Sequence, residues 1–286
     1  MTQTLTDSRR RRARPAHALG TLALAALLLT AACSSDNDPA DPLISRDRPV
    51  EQIYNEAVDA QTAGNFSRAV ALYQEVERQH PFSSWATTAK LMAAYNEYRL
   101  GRYTEAIGAL DRFINLHPAH RDIAYAYYLR AMSYYEQIAD VERDQRLTQQ
   151  ALGALQDVAN RFPDSPYARD ARLKMDLARD HLAGKEMMIG RYYQQRNLHA
   201  AAVNRFRRVV DEFDTTNHVP EALHRLVEVY LALGLTEEAR KSAAVLGYNY
   251  PGSPWYQDSF ALLTPGAPSA DGDRPGMISR WLSSVF

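Results

Sequence analysis

Ala94-Tyr95-Asn96-Glu97-Tyr98-Arg99-Leu100-Gly101-Arg102-Tyr103-Thr104-Glu105-Ala106-Ile107-Gly108-Ala109-Leu110-Asp111-Arg112-Phe113-Ile114-Asn115-Leu116-His117-Pro118 is the stretch that decides the fold. Its small and apolar residues, Ala94, Gly101, Tyr103, Ala106, Leu110, Phe113 and Pro118, recur 37 positions upstream as Ala57, Gly64, Phe66, Ala69, Tyr73, Val76 and Pro81. Alanine at two fixed places lets a pair of antiparallel helices approach closely, because only short side chains fit at the crossing. Glycine between them marks the end of the first helix and the reversal of the chain. Proline closes the second helix, which it cannot continue. The unit is a helical hairpin that cannot bury its apolar face alone and needs neighbours.

Further copies lie downstream. Val227, Gly234, Ala239, Ala243, Leu246 and Pro251 keep the same spacing. Gly190, Asn197, Ala202, Phe206, Val209 and Asp214 form another unit, with Asp214 in the proline's place. In the remaining unit Ala131 opens and Ala151, Leu155, Val158 and Pro163 complete it. These units resemble tetratricopeptide repeats. The expected fold is all-α, a solenoid of about five helix pairs.

Two irregularities interrupt the period. Ala131 to Ala151 spans 20 residues where the other units span 12, which enlarges the turn of the third repeat around 138–145. Pro163 to Asn197 spans 34 residues where Pro81 to Gly101 spans 20. Since 167–195 contains no proline, the excess predicts a long linking helix, extended by about 21 Å at about 1.5 Å per residue. Helix starts are written as Pro81-Phe82-Ser83-Ser84-Trp85, Pro163-Asp164-Ser165-Pro166-Tyr167 and Pro251-Gly252-Ser253-Pro254-Trp255. Each ends one helix, caps the next with serine and sets an aromatic in its first turn. Core packing is the expected role of Trp85, Tyr167 and Trp255.

The lone cysteine, Cys33, follows the apolar run 19–32, which is preceded by Arg9 to Arg12 and Arg14. Basic end, short apolar segment and small residues at Ala31 and Ala32 make up an export signal, and the run is shorter than the roughly 20 residues that span a bilayer. The pattern resembles a bacterial lipoprotein signal, although Thr30 stands where an aliphatic residue is common. That resemblance implies cleavage before Cys33, its acylation, and, with Ser34 rather than Asp following, release to the outer membrane. Several acyl chains anchor durably where one does not. The expected organisation is a signal peptide over 1–32 and a flexible linker over 33–48. Repeats one to three then cover 49–166, and the linking helix with repeats four and five covers 167–262. A flexible tail over 263–286 carries a short amphipathic end, with Ile278, Trp281, Leu282 and Val285 on one helical face. This end is suited to a partner subunit or a membrane surface, and self-occupancy of a peptide groove is a further option.

The chain carries 33 basic and 34 acidic side chains. Without residues 1–32, which hold five Arg and one Asp, 28 basic face 33 acidic side chains, a net charge of about −5. No broad basic face for nucleic acid is expected. There is no second cysteine with which to form a disulfide. No His-Glu-x-x-His, phosphate-cradling Gly-rich loop or Gly-x-Ser-x-Gly elbow is present. His117 and His120 flank Pro118 and are expected to be solvated. Asp36, Asp38 and Asp41 lack the glycine and glutamate of a calcium loop. The expectation is a protein with no metal, no cofactor and no catalytic site.

The order of signal, five repeats, enlarged third turn and long helix resembles the tetratricopeptide-repeat lipoproteins of the outer-membrane β-barrel assembly (BAM) complex. Its most specific pieces are Asp111-Arg112-Phe113-Ile114, Arg143-Asp144-Gln145, Phe162-Pro163-Asp164-Ser165-Pro166-Tyr167 and Ala202-Val203-Asn204-Arg205. The resemblance implies a noncatalytic subunit at the periplasmic face of the outer membrane. Its implied partners are a β-barrel subunit with POTRA domains, other BAM lipoproteins and unfolded outer-membrane proteins. The inner-face register of such repeats implies a peptide groove built from Tyr54, Tyr95, Tyr98, Arg99, Tyr128 and Tyr135, in which rigid rings supply contact area and Arg99 pairs with a carboxylate. The bland alternative for each tyrosine is filling gaps between repeats. Arg205 is the residue implied in docking on the barrel subunit. A second functional reading is a periplasmic repeat lipoprotein that coordinates peptidoglycan synthesis or cell division.

Overall fold

Pro49, with φ of −55° and ψ of 138°, holds the cap position, and the chain turns into helix at Val50. The computed structural model describes residues 48–264, and among these every regular element is helical. The helices are α1 (Val50–Thr62), α2 (Phe66–Gln79), α3 (Ser84–Arg99), α4 (Tyr103–Leu116), α5 (Ile123–Tyr135), α6 (Arg146–Arg161), α7 (Pro166–Gln195), α8 (His199–Glu212), α9 (Val219–Ala232), α10 (Thr236–Asn249) and α11 (Pro254–Leu263). They pair consecutively into five hairpins, with α11 packed on α9 and α10 as an additional helix. The first helices α1, α3, α5 and α7 neighbour one another and form one layer.

The repeated residues do what their chemistry requires. Gly64, Gly101 and Gly234 have φ of 77°, 73° and 74°, and Asn197 takes 59° at the equivalent place. The left-handed turn is therefore shared by four hairpins, and asparagine is the side chain that tolerates it where glycine is missing. Ala57, Ala69, Ala94, Ala106, Ala131, Ala151, Ala202 and Ala239 are fully buried at the crossings. Around them lie Tyr73, Phe113, Leu110, Leu155, Phe206 and Leu246, also buried, each side chain contributing about 1.5–3 kcal/mol. Gly190 occupies an alanine place for a sharper reason. A Cβ there would lie 2.5 Å from Phe206 Cε1, so the ring of α8 fits only against a bare backbone.

Serine begins three helices as expected, with one difference. Ser83 Oγ accepts from Ala86 N at 3.1 Å and Ser253 Oγ from Trp255 N at 3.3 Å. Ser165 holds the cap position of α7, yet its hydroxyl is buried without a hydrogen-bond partner. Pro166 supplies the preset φ of the first helical position and the missing N–H costs nothing there.

The long linking helix is present as α7, 30 residues or about 45 Å. The enlarged turn between α5 and α6 is a folded loop. Gln145 is buried and its amide donates to the carbonyls of Asp140, Val141 and Arg143, while Lys185 of α7 donates to Glu142 O at 2.8 Å. The expectation of solvated histidines is corrected. His117 and His120 pack their rings 5.3 and 5.2 Å from Phe113, because the α4–α5 turn folds back over the end of the core. Burial and the nearby Lys90 and His120 lower the pKa of His117.

Candidate functional site

Three first-layer helices carry the aromatic surface. On α3, Tyr95 and Arg99 are one helical turn apart, and Arg99 Nη1 donates to Tyr95 OH at 2.7 Å. The same guanidinium lies 4.4 Å over the ring of Phe66, the first residue of α2, a cation–π contact that holds it at the surface. Tyr98 leans on Tyr103, ring centroids 5.7 Å apart, and donates to Glu136 Oε1 at 3.3 Å. On α5, Tyr125 has Tyr95 and Tyr98 as electrostatic neighbours and packs 5.5 Å from Tyr167 of α7.

The surface continues without a break onto α7. Tyr128 stacks on Tyr167 at 5.0 Å and donates to Asp170 Oδ2 at 2.7 Å. Asp170 accepts from Lys174 Nζ at 3.1 Å, and the ammonium sits 5.4 Å over the ring of Tyr135. From Phe66 to Tyr135 the order is ring, guanidinium, tyrosine cluster, carboxylate, ammonium, ring. Burial raises the pKa of Tyr98 to about 12 and raises those of Tyr125 and Tyr128 as well, with Glu136 adding to the effect at Tyr98, Asp170 at Tyr128 and the surrounding tyrosines at Tyr125. These hydroxyls stay protonated at neutral pH, with those of Tyr98 and Tyr128 committed to Glu136 and Asp170. Burial alone would raise Asp170, but the bonds from Tyr128 and Lys174 hold it below the usual carboxylate range.

Five of the six residues assigned to the groove by register, Tyr95, Tyr98, Arg99, Tyr128 and Tyr135, thus line one connected surface. Tyr54 contacts different rings, Tyr73 at 5.4 Å and Trp85 at 4.7 Å, and fills the seam between the first two repeats. Phe66, Tyr125, Asp170 and Lys174 were not expected, and Tyr167, expected as packing, is a stacked member of the surface. Tyr125 was findable, since it lies three residues before Tyr128 and therefore on the same helical face.

Arg205 lies apart, on α8. Its Nη1 is 3.0 Å from Glu186 Oε2, and Arg208 Nη1 is 2.9 Å from Glu186 Oε1. One carboxylate, with a side chain 10 % exposed, is shared by two guanidinium groups that are 36 % and 41 % exposed. Tyr193, Ala201, Asn204, Arg205 and Arg208 line a shallow cavity of about 290 Å³ there. Cys33 lies outside the described residues, as does the amphipathic end of the tail.

Among the described residues no group of three or more His, Cys, Asp and Glu side chains could hold a metal ion, and no helix is long and apolar enough to cross a membrane. His224, Glu228 and Ser259, among the described residues, are arranged like acid–base machinery. His224 Nδ1 is 2.9 Å from Ser259 Oγ, and Nε2 is 3.5 Å from Glu228 Oε1. Ser259 is fully buried, so no substrate reaches its hydroxyl, and the three join α9 to α11.

Comparison with known proteins agrees with this architecture. The model of the family YfiO, described as outer membrane lipoprotein, matches residues 46–246. A Caulobacter vibrioides protein named outer membrane protein assembly factor BamD is 52 % identical over 221 residues, covering 77 % of this chain and 72 % of the relative. The Rickettsia prowazekii protein of the same name is 45 % identical over 236 residues, covering 82 % and 92 %. That of Neisseria meningitidis serogroup A is 34 % identical over 239 residues, covering 80 % and 90 %. With these matches extending over the repeats and the long helix that joins them, the chain belongs to the BamD family of outer membrane lipoproteins.

Proposed function

We propose that the chain is an outer-membrane protein assembly factor that works as a noncatalytic scaffold subunit of the BAM complex. Family membership favours this role over coordination of peptidoglycan synthesis or division. The observation that carries the mechanism is the connected surface running from Phe66 and Arg99 through Tyr95, Tyr98, Tyr125 and Tyr128 to Lys174 and Tyr135. Rings already held by neighbours lose little conformational freedom on binding, and tyrosine offers an apolar face and a donor together. Arg99 flanks the rings with a positive charge suited to a peptide carboxylate, whereas Lys174 is already paired with Asp170. Such a surface takes an extended segment of an unfolded β-barrel protein. It acts by holding that segment, with no bond made or broken.

The remaining parts give the scaffold its place. Acylated Cys33 tethers the repeats to the periplasmic face of the outer membrane, which raises their effective concentration beside the insertion machinery. Repeats four and five dock on a POTRA domain of the barrel subunit, where Arg205 exchanges part of its pairing with Glu186 for a partner carboxylate. Affinity purification of the full-length protein from native membranes, followed by mass spectrometry, tests the assignment. A large barrel with POTRA domains and the other BAM lipoproteins is the expected set of partners, whereas enrichment of peptidoglycan synthases without the barrel would refute it.

A further inference from the structure

The last helix pair of a repeat array has no following repeat to cover it, and its outer face must be polar or covered by something else. Here three large apolar side chains stand exposed on it. Tyr248 on α10 is 87 % exposed, Val245 44 %, and Phe260 on α11 50 %. They belong to one region, because Tyr256 fits the notch at Gly247, where a Cβ would lie 2.5 Å from Tyr256 Cε2. The ring of Phe260 is 6.4 Å from that of Tyr256. Helix α11 is lightly held in addition. Ser259 is its single buried residue, fixed to His224, and Trp255 lies over His224 and Arg225.

We propose that residues 277–286 of the same chain pack over Val245, Tyr248 and Phe260 and complete the end of the array. Reach permits it. Helix α11 ends at Leu263, three residues beyond Phe260, and the 12 residues 265–276 span at most about 43 Å when extended. The sequence of the segment fits the face it meets. Ile278, Trp281, Leu282 and Val285 recur at helical spacing and present one apolar stripe. A tethered segment has an effective concentration in the roughly millimolar range, which favours the contact within the chain over the same contact made by a free partner. The role is separate from the peptide surface on α3, α5 and α7, and it does not depend on the assembly reading.

Hydrogen–deuterium exchange of the full-length protein, compared with a variant that ends at residue 276, reads this contact directly. The expected result is amide exchange at least fivefold faster over 243–264 in the shortened protein, with 50–135 unchanged. In the reciprocal variant, Tyr248→Glu with Phe260→Glu in the full chain, trypsin should cleave after Arg280 at least fivefold faster than in the wild type. Unchanged exchange over 243–264 would overturn the proposal. So would a gain of exchange confined to 91–99 and 125–135, which would place the segment in the tyrosine surface. Loss of binding to phospholipid vesicles with no change over 243–264 would assign the segment to a membrane and equally reject the contact.

Discussion

Tyr128 and Tyr167 stack at 5.0 Å, 22° from parallel, and join the third repeat to the long helix α7. Tyr128 also donates to Asp170 of that helix at 2.7 Å, so one side chain supplies both a ring contact and a polar bond across the same seam. The surface that would hold a peptide is therefore also a joint between repeats. Changing Tyr128→Phe should remove about 1 kcal/mol of stability through the lost hydrogen bond. Tyr128→Ala, which also loses the stack, should remove about 2 kcal/mol, lowering the Tm by roughly 4–8 °C for a domain of this size. Thermal denaturation of the two variants checks the order, and equal Tm values would contradict the joint.

Gly190 sets a steric limit in the last two turns of α7. Because an added Cβ falls within 2.9 Å of three ring atoms of Phe206, Gly190→Ala should destabilise by about 1–3 kcal/mol, although alanine is the better helix former. Pairing it with Phe206→Leu should recover part of the loss, which urea midpoints of the single and double variants measure.

Acid stability should depend on Glu228. Burial would raise its pKa, but His224, Arg225 and Gln194 together bring it down from 4.5 to about 2. A depressed carboxylate stabilises the fold above its unfolded pKa, and the contribution disappears as pH falls toward the folded value. At neutral pH the shift corresponds to roughly 3 kcal/mol, more than half of it gone by pH 3. Urea denaturation between pH 6 and pH 3 should show a steep loss in the wild type and a shallower one in Glu228→Gln, which begins less stable.

Arg205 should matter more to assembly than to folding. Arg208 keeps its own bond to Glu186 when Arg205 is removed, and Arg205 is 36 % exposed, so Arg205→Ala should change the Tm by less than about 2 °C. Recovery of the barrel subunit in a pull-down should nevertheless fall about tenfold. An unchanged pull-down would remove Arg205 from the docking surface.

Local sequence rules reached some of these features and missed others. The four left-handed turns, the buried alanines and the length of α7 all follow from spacing, because each repeats a short-range steric requirement. The ladder Tyr128–Asp170–Lys174–Tyr135 does not, since it depends on where α7 lies against α5, 42 residues away for the Tyr128–Asp170 bond. Register picks inner-face positions on first helices of ordinary length, and it left out Asp170 and Lys174 on the first half of an unusually long one. Phe66 escaped because it opens a second helix, and its place under Arg99 depends on how α2 packs against α3. Glu186 carried no local mark, as its two arginines stand 19 and 22 residues further on.

The surface on α3, α5 and α7 should hold unfolded β-barrel segments. Photoreactive residues at positions 95, 98 and 128 of the full-length protein in native membranes, with controls at the exposed positions 156 and 160 of α6, measure this most directly. Crosslinks to nascent barrel proteins at the three tyrosine positions and none at the controls are the predicted result; substrate crosslinks at the controls alone would contradict it.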